Sequence, residues 1–414
     1  MSNVKVIHDT KFKNIFISVR FLSDLKQESV LAKYILANIL NESCKKYPTK
    51  QSVTDLLDQM YGAVYNASSN IVGSAQVMAC KSKVIHPTFI QNKMDLLEEQ
   101  FKLLNAFLFH PLLDDKGFDE HVFEESKRNL IDMIARTNDD PSSYCMYQAM
   151  RIAGATQPLG WGVFGDAKDV EKISMQEVVN IYHQMMKENR VDILVLGDVE
   201  EDVVQELVAK YLPFESNHKE ILPVSYHFND SIEDKEQFAY KDISQSYITN
   251  LYTSKVNNQD EDFATIRIAN AILGQLPTSL LFQEVREKHS LCYSIYSALF
   301  PYDGVLGIST GVEMSNVDKA KTLISEQIDR MKKGDFEDEM ITVAKKMIVN
   351  SLKSTGDDAD SIFALAYRNI LFKREDSVSS LIQEIQKVNK EDVVKVMNKV
   401  ELCLSYVVKA REEA

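Results

Sequence analysis

The chain is written twice. "FDEHVFEESKRNLIDMI", from Phe118, returns as "FEDEMITVAKKMIVNSL", from Phe336, at an offset of 218 residues. "VEKISMQEVVNIYHQMM" is echoed by "IQKVNKEDVVKVMNKV", which sets Val178 against Val393 at an offset of 215. Earlier in each half, "GAVYNA" (62–67) parallels "YSIYSA" (293–298) at 231, and "ANIL" from Ala37 parallels "NAIL" from Asn270 at 233. The order of the segments is preserved, and the falling offset needs only one shorter connection in the second half. A period of roughly 200 residues is a whole domain and not a solenoid turn. Two homologous domains are expected, 1–220 and 221–414.

Each half carries the same run of patterns. A strand ("IFISVRFL"; "SYITNLYT") leads into a buried helix, at about 29–43 and 262–275. A second helix follows ("KQSVTDLLDQMYG"; "TSLLFQEVREKHS"), then two strands ("AVYNASSN" and "AQVMACKS"; "CYSIYSAL" and "VLGISTGV"). Amphipathic helices come next, with apolar residues three and four apart, as in "KMDLLEEQFKLLNAFL" and "KAKTLISEQIDRM". A final apolar strand closes each copy, "VDILVLGDV" and "LCLSYVVKA". Strand runs grouped apart from helix runs predict α+β domains, each a mainly antiparallel sheet with helices packed on one face. The polar, turn-rich stretch 213–240 reads as the linker.

Charge narrows the function. The 47 basic and 61 acidic side chains leave a net charge of −14, which disfavours nucleic acid as a partner. Five scattered cysteines with no CxxC argue against a disulfide framework and fit a reducing compartment. The first residues, "MSNVKVIHDT", lack a signal-like apolar core. No apolar run reaches the roughly 20 residues that cross a bilayer. A cytoplasmic protein without a membrane partner is expected.

The most specific stretches are "QPLGWGVFGDAKDVEKIS" (157–174), "RVDILVLGDV" (190–199) and "FQEVREKHSLCYSIYS" (282–297). With the repeat, they resemble the pitrilysin/insulinase superfamily of zinc metallopeptidases, in the branch of mitochondrial processing peptidase and its short bacterial relatives. The resemblance covers nearly the whole chain. It implies half of a clamshell, with two α+β domains per chain.

Active relatives carry H-x-x-E-H on the first buried helix. Two histidines four apart share a helix face and can hold one Zn²⁺, and the glutamate polarises the metal-bound water. The resemblance sets this motif on "KYILA": Lys33 replaces the first histidine, Leu36 the glutamate and Ala37 the second histidine. The third ligand of the family falls at Met133 or its neighbour Asp132. None of the eight histidines lies three or four residues from another. No catalytic or metal-binding residue is therefore assigned to this chain, and any zinc belongs to a partner.

The resemblance also points to R-E-x-x-x-L-x-Y, matched by "REKHSLCY". It implies that Arg286 and Tyr293 hold the substrate backbone. A guanidinium suits peptide carbonyls, and a phenol suits the developing oxyanion. "GISTG" (307–311) fits a nucleophile elbow in letters only, because it lies inside a strand pattern. "QPLGWGVFG" lacks the phosphate-loop lysine and reads as a structural connection.

The expectation is a non-catalytic subunit of a heterodimeric zinc peptidase. It would complete the chamber for an HxxEH-containing partner and bind extended peptide, in part along a strand edge. The rival reading is an inert structural or peptide-binding protein, for which a homodimer suffices.

Overall fold

The computed structural model describes residues 3–91, 94–162, 165–215 and 224–411. Two compact units emerge: 1–135 with 164–223, and 136–163 with 224–414. The boundary expected at 220/221 lies outside the described residues.

The first unit contains β1 (Asn3–His8), β2 (Asn14–Asp24), β3 (Val64–Val72) and β4 (Ala75–Ile85). A two-residue hairpin follows, β5 (Leu113–Asp114) and β6 (Gly117–Phe118), and then β7 (Arg190–Gly197). The main sheet runs β1-β7-β2-β4-β3, with β1 and β7 parallel and every other pair antiparallel. Alternation along β2 sends Ile15, Ile17, Val19 and Phe21 into the core. Helices Val30–Glu42, Leu96–Phe109, Glu120–Asp139 and Met175–Glu188 supply the apolar stripes that cover this face, among them Leu40, Phe101, Leu130 and Val178. Two of these helices start on side-chain caps: Asp95 accepts from the Glu98 amide and Ser174 from the Glu177 amide.

The second unit repeats the plan. Its strands are β8 (Glu236–Lys241), β9 (Ser246–Thr253), β10 (Ile295–Phe300), β11 (Val305–Val312) and β12 (Glu401–Ala410). Their order is β10-β11-β9-β12-β8, with β8 and β12 the parallel pair. Counted from β8, this is the order of the first sheet counted from β1. Paired positions of the repeat are buried alike: Phe118 with Phe336, Val178 with Val393. The α+β reading thus holds in both units.

Three features depart from the sequence reading. The stretch 213–240 is not all linker, because Glu236–Lys241 forms β8 at the sheet edge. Its alternation is masked by lying half in solvent. The second buried helix is α-helical only over Phe263–Asn270 and widens into a π-turn at Ala271–Gln275. There Gly274 sits so close to β10 that a Cβ would fall 2.7 Å from the Ser297 nitrogen. The segment "TSLLFQEVREKHS" is a π-helix over Phe282–Lys288.

Helix Pro141–Ala153, from the first half of the chain, belongs to the second unit. Cys145, Ala149 and Ala153, four apart, pack with Leu251, Leu404, Tyr406 and Val408. That is the sheet face opposite Ile248 and Val407. Beyond the helix, Gly154 and Gly160 touch backbone to backbone, leaving no space for a Cβ on either. Gln157 exchanges two hydrogen bonds with Asn229, and the Leu159 amide donates to the Tyr226 hydroxyl at 2.8 Å. Gly160 of "QPLGWGVFG" thus serves close packing; Val163 and Phe164 of that stretch lie outside the described residues. No described helix is long and apolar enough to cross a membrane.

Candidate functional site

The helix Val30–Glu42 presents none of the chemistry that its counterpart in a zinc peptidase needs. Leu36 is fully buried and Ala37 is 3% exposed, both within the first core. Lys33 is half-buried, and its Nζ donates to the Ser23 hydroxyl at 2.9 Å and the Asp24 carbonyl at 3.3 Å. Burial, with the Lys26 charge nearby, pulls its pKa down to about 8 against the opposing pull of Asp24 and Glu28. On helix Glu120–Asp139, Met133 packs against the same core and Asp132 is exposed. Among the described residues no group of three or more His, Cys, Asp or Glu side chains is placed to hold a metal. A cation, two hydrocarbon side chains and a core-packed thioether do not fit Zn²⁺.

Arg286 and Tyr293 come together in the second unit. The π-helix Phe282–Lys288 carries Arg286, and two residues beyond its end Ser290 adopts a left-handed conformation with φ 51°. The chain then turns into β10, bringing Tyr293 back over the guanidinium. The guanidinium carbon lies 4.4 Å from the Phe282 ring centre and 5.4 Å from that of Tyr293. Its nearest carboxylate is Glu287 at 3.7 Å, and it donates no hydrogen bond to the described residues. Tyr293 is 85% exposed, far more than any other large apolar or aromatic side chain described.

Neighbouring residues frame this pair. Glu284 binds Lys288 at 2.7 Å and faces His289 at 3.3 Å, and the Lys288 contact holds its carboxyl below the usual range. Tyr296 is exposed on β10, the free edge of the sheet. Sequence reasoning missed Phe282 and Tyr296, although both stand inside the stretch that carries the resemblance. Ser309 of "GISTG" is fully buried in β11 beside Thr249, so it is no nucleophile.

The profile of the "Peptidase M16 inactive domain" matches residues 172–348. The "Probable inactive metalloprotease YmfF" of Bacillus subtilis (strain 168) is 26% identical over 409 residues, covering 99% of this chain and 96% of that protein. The "Antilisterial bacteriocin subtilosin biosynthesis protein AlbE" of the same organism is 21% identical over 98% of this chain and 99% of its own length. Among solved structures, a conserved protein from Enterococcus faecalis V583 superposes with a TM-score of 0.94 at 22% identity, covering 99% of this chain and 97% of that one. The chain is similar to the inactive members of the pitrilysin/insulinase superfamily of metallopeptidases, and its helix Val30–Glu42 carries no metal ligands.

Proposed function

We propose that the chain is the non-catalytic subunit of a heterodimeric zinc peptidase whose partner carries H-x-x-E-H. It completes the chamber and holds an extended peptide beside the partner's metal. The observation that carries this reading is the Arg286–Tyr293 pair. A guanidinium with no hydrogen-bond acceptor among the described residues and a phenol left in solvent contribute little to the fold. Both are suited to a peptide carbonyl. The free edge of β10 adds backbone donors and acceptors beside them. A relative named for bacteriocin biosynthesis supports a setting in peptide or leader-peptide maturation. Five free cysteines, four of them buried, support a cytoplasmic location.

The test is co-expression with an H-x-x-E-H protein from the neighbouring gene, with peptide cleavage assayed for each protein and for the mixture. Cleavage is expected only from the mixture. Arg286→Ala and Tyr293→Phe are expected to lower turnover at least tenfold while the complex still assembles. A partner that cleaves equally well alone sinks the subunit reading for that pair. Full activity in both variants removes the role given to Arg286 and Tyr293.

A further inference from the structure

A cavity of about 610 Å³ opens beside Lys33 in the first unit. It lies between the first turn of helix Val30–Glu42, the end of β2 and the helix Met175–Glu188. Its size is that of a small-ligand site. Leu36, Met78, Ile181 and Met185 give it an apolar floor.

Lys33 is the side chain here that the fold does not account for. Buried charges are normally paired, and a lysine in the first helical turn also faces the positive end of the helix dipole. Yet its ammonium has two neutral acceptors and no carboxylate of the described residues within ion-pair distance. One of its three N–H donors is left over. A single anion in the cavity would answer the burial, the dipole and the nearby Lys26 together.

The other walls restrict what that anion belongs to. Gln176, Asn180 and Gln184 stand four apart along helix Met175–Glu188. Gln176 donates to Asn180 at 2.9 Å and Gln184 to Glu188 at 3.2 Å, and the second N–H and carbonyl groups of these amides match a peptide backbone. Glu177 and Glu188 line the same wall, Glu188 accepting from the Gln184 amide at 3.2 Å, and their charges repel a second negative charge on a ligand. On the Lys33 side, Asp24 and Glu28 likewise disfavour a polyanion. Arg190, at the start of β7, is held by Asp192 at 2.8 Å and adds no free cation.

We infer that this cavity binds the C-terminal residue of a peptide, with its carboxylate paired to Lys33 and its apolar side chain on the Leu36–Met78–Met185 floor. The inference shares with the proposed function only the premise that the chain meets peptides. It uses neither Arg286 nor a partner subunit.

The test is calorimetry on the full chain with Ala-Ala-Ala-Leu as the free acid, the same peptide as its C-terminal amide, N-acetyl-leucine, and inorganic phosphate. The free acid is expected to bind at least tenfold more tightly than the amide at pH 7, and to weaken at least threefold by pH 9 as Lys33 loses its proton. Lys33→Met is expected to bring the acid down to the level of the amide, with amide binding unchanged as the check on folding. Arg286→Ala should keep the preference, which separates this site from the one proposed above. In the unmodified chain, the free acid should slow reductive methylation of Lys33, read by mass spectrometry. Equal binding of acid and amide, a preference that survives Lys33→Met, or no binding of either peptide overturns the inference. N-acetyl-leucine binding as tightly as the peptide, or phosphate competing with it, overturns the assignment to a peptide terminus.

Discussion

The guanidinium of Arg286 stacks on the ring of Phe282, 4.4 Å from its centre, and this fixes the direction in which the arginine can reach. Under the proposed function, Phe282 acts by orienting Arg286. A stacking contact of this kind is worth about 0.5–1 kcal/mol. Phe282→Leu should therefore lower partner-dependent kcat/KM by about two- to fivefold, less than Arg286→Ala does. Steady-state kinetics on the assembled complex measures the ranking.

Lys33 should make stability depend on pH in alkaline solution. Its folded pKa of about 8 lies below the unfolded value of about 10.4, so the unfolded chain binds more protons between them. Stability from this group is complete above the unfolded value and is lost as pH falls through the folded one. Below pH 8 the penalty is on the order of 2–3 kcal/mol. Lys33→Met should remove it, raising stability at pH 7 and leaving a much smaller advantage at pH 10. Urea denaturation of both proteins at the two pH values checks this.

Asp303 should act in the acid range. Burial lifts its pKa to about 6, against the opposing effect of a hydrogen bond from Tyr226. A carboxyl raised in the folded state contributes stability that is complete below its unfolded pKa near 4 and is lost as pH rises through about 6. Asp303→Asn keeps an acceptor for Tyr226 and should stabilise the protein by on the order of 2 kcal/mol at pH 7, with the difference closing towards pH 4. Denaturant midpoints across that range report it.

Gly160→Ala should be strongly destabilising for a reason unrelated to any active site. The added methyl would meet the Gly154 backbone, so the turn at 158–161 must lift from the end of helix Pro141–Ala153. A loss of about 3 kcal/mol is expected from overpacking against main chain. Equilibrium unfolding in urea measures it, and an unchanged midpoint would show that the turn relaxes without cost.

Much of the fold was legible because it is local and repeated. Strands β9 and β11 fall on the stretches read from alternation, and helix Val30–Glu42 lies within a residue of its expected limits. Strands β1 and β8 were not read, because each is a short edge strand with half its side chains in water and only a weak apolar pattern. The π-turns were also hidden. An apolar stripe specifies a helix face but not whether the backbone closes its bonds at four or at five residues.

The sequence by itself determined the duplication, the α+β class and the family resemblance, and on that resemblance lysine, leucine and alanine stand where zinc ligands would. Those properties depend on residue identity and on periodicities of two and 3.6, which survive without knowledge of distant neighbours. Only the tertiary structure decided what covers each apolar face. The small-residue stripe of Cys145, Ala149 and Ala153 could have packed on either sheet, and it lies on the second. Tertiary structure also set the guanidinium of Arg286 between Phe282 and Tyr293, and opened a cavity beside a lysine with no counter-ion among the described residues. Burial and pairing are sums over neighbours brought from far along the chain, so the electrostatics of Lys33 could be read only once those neighbours were in place.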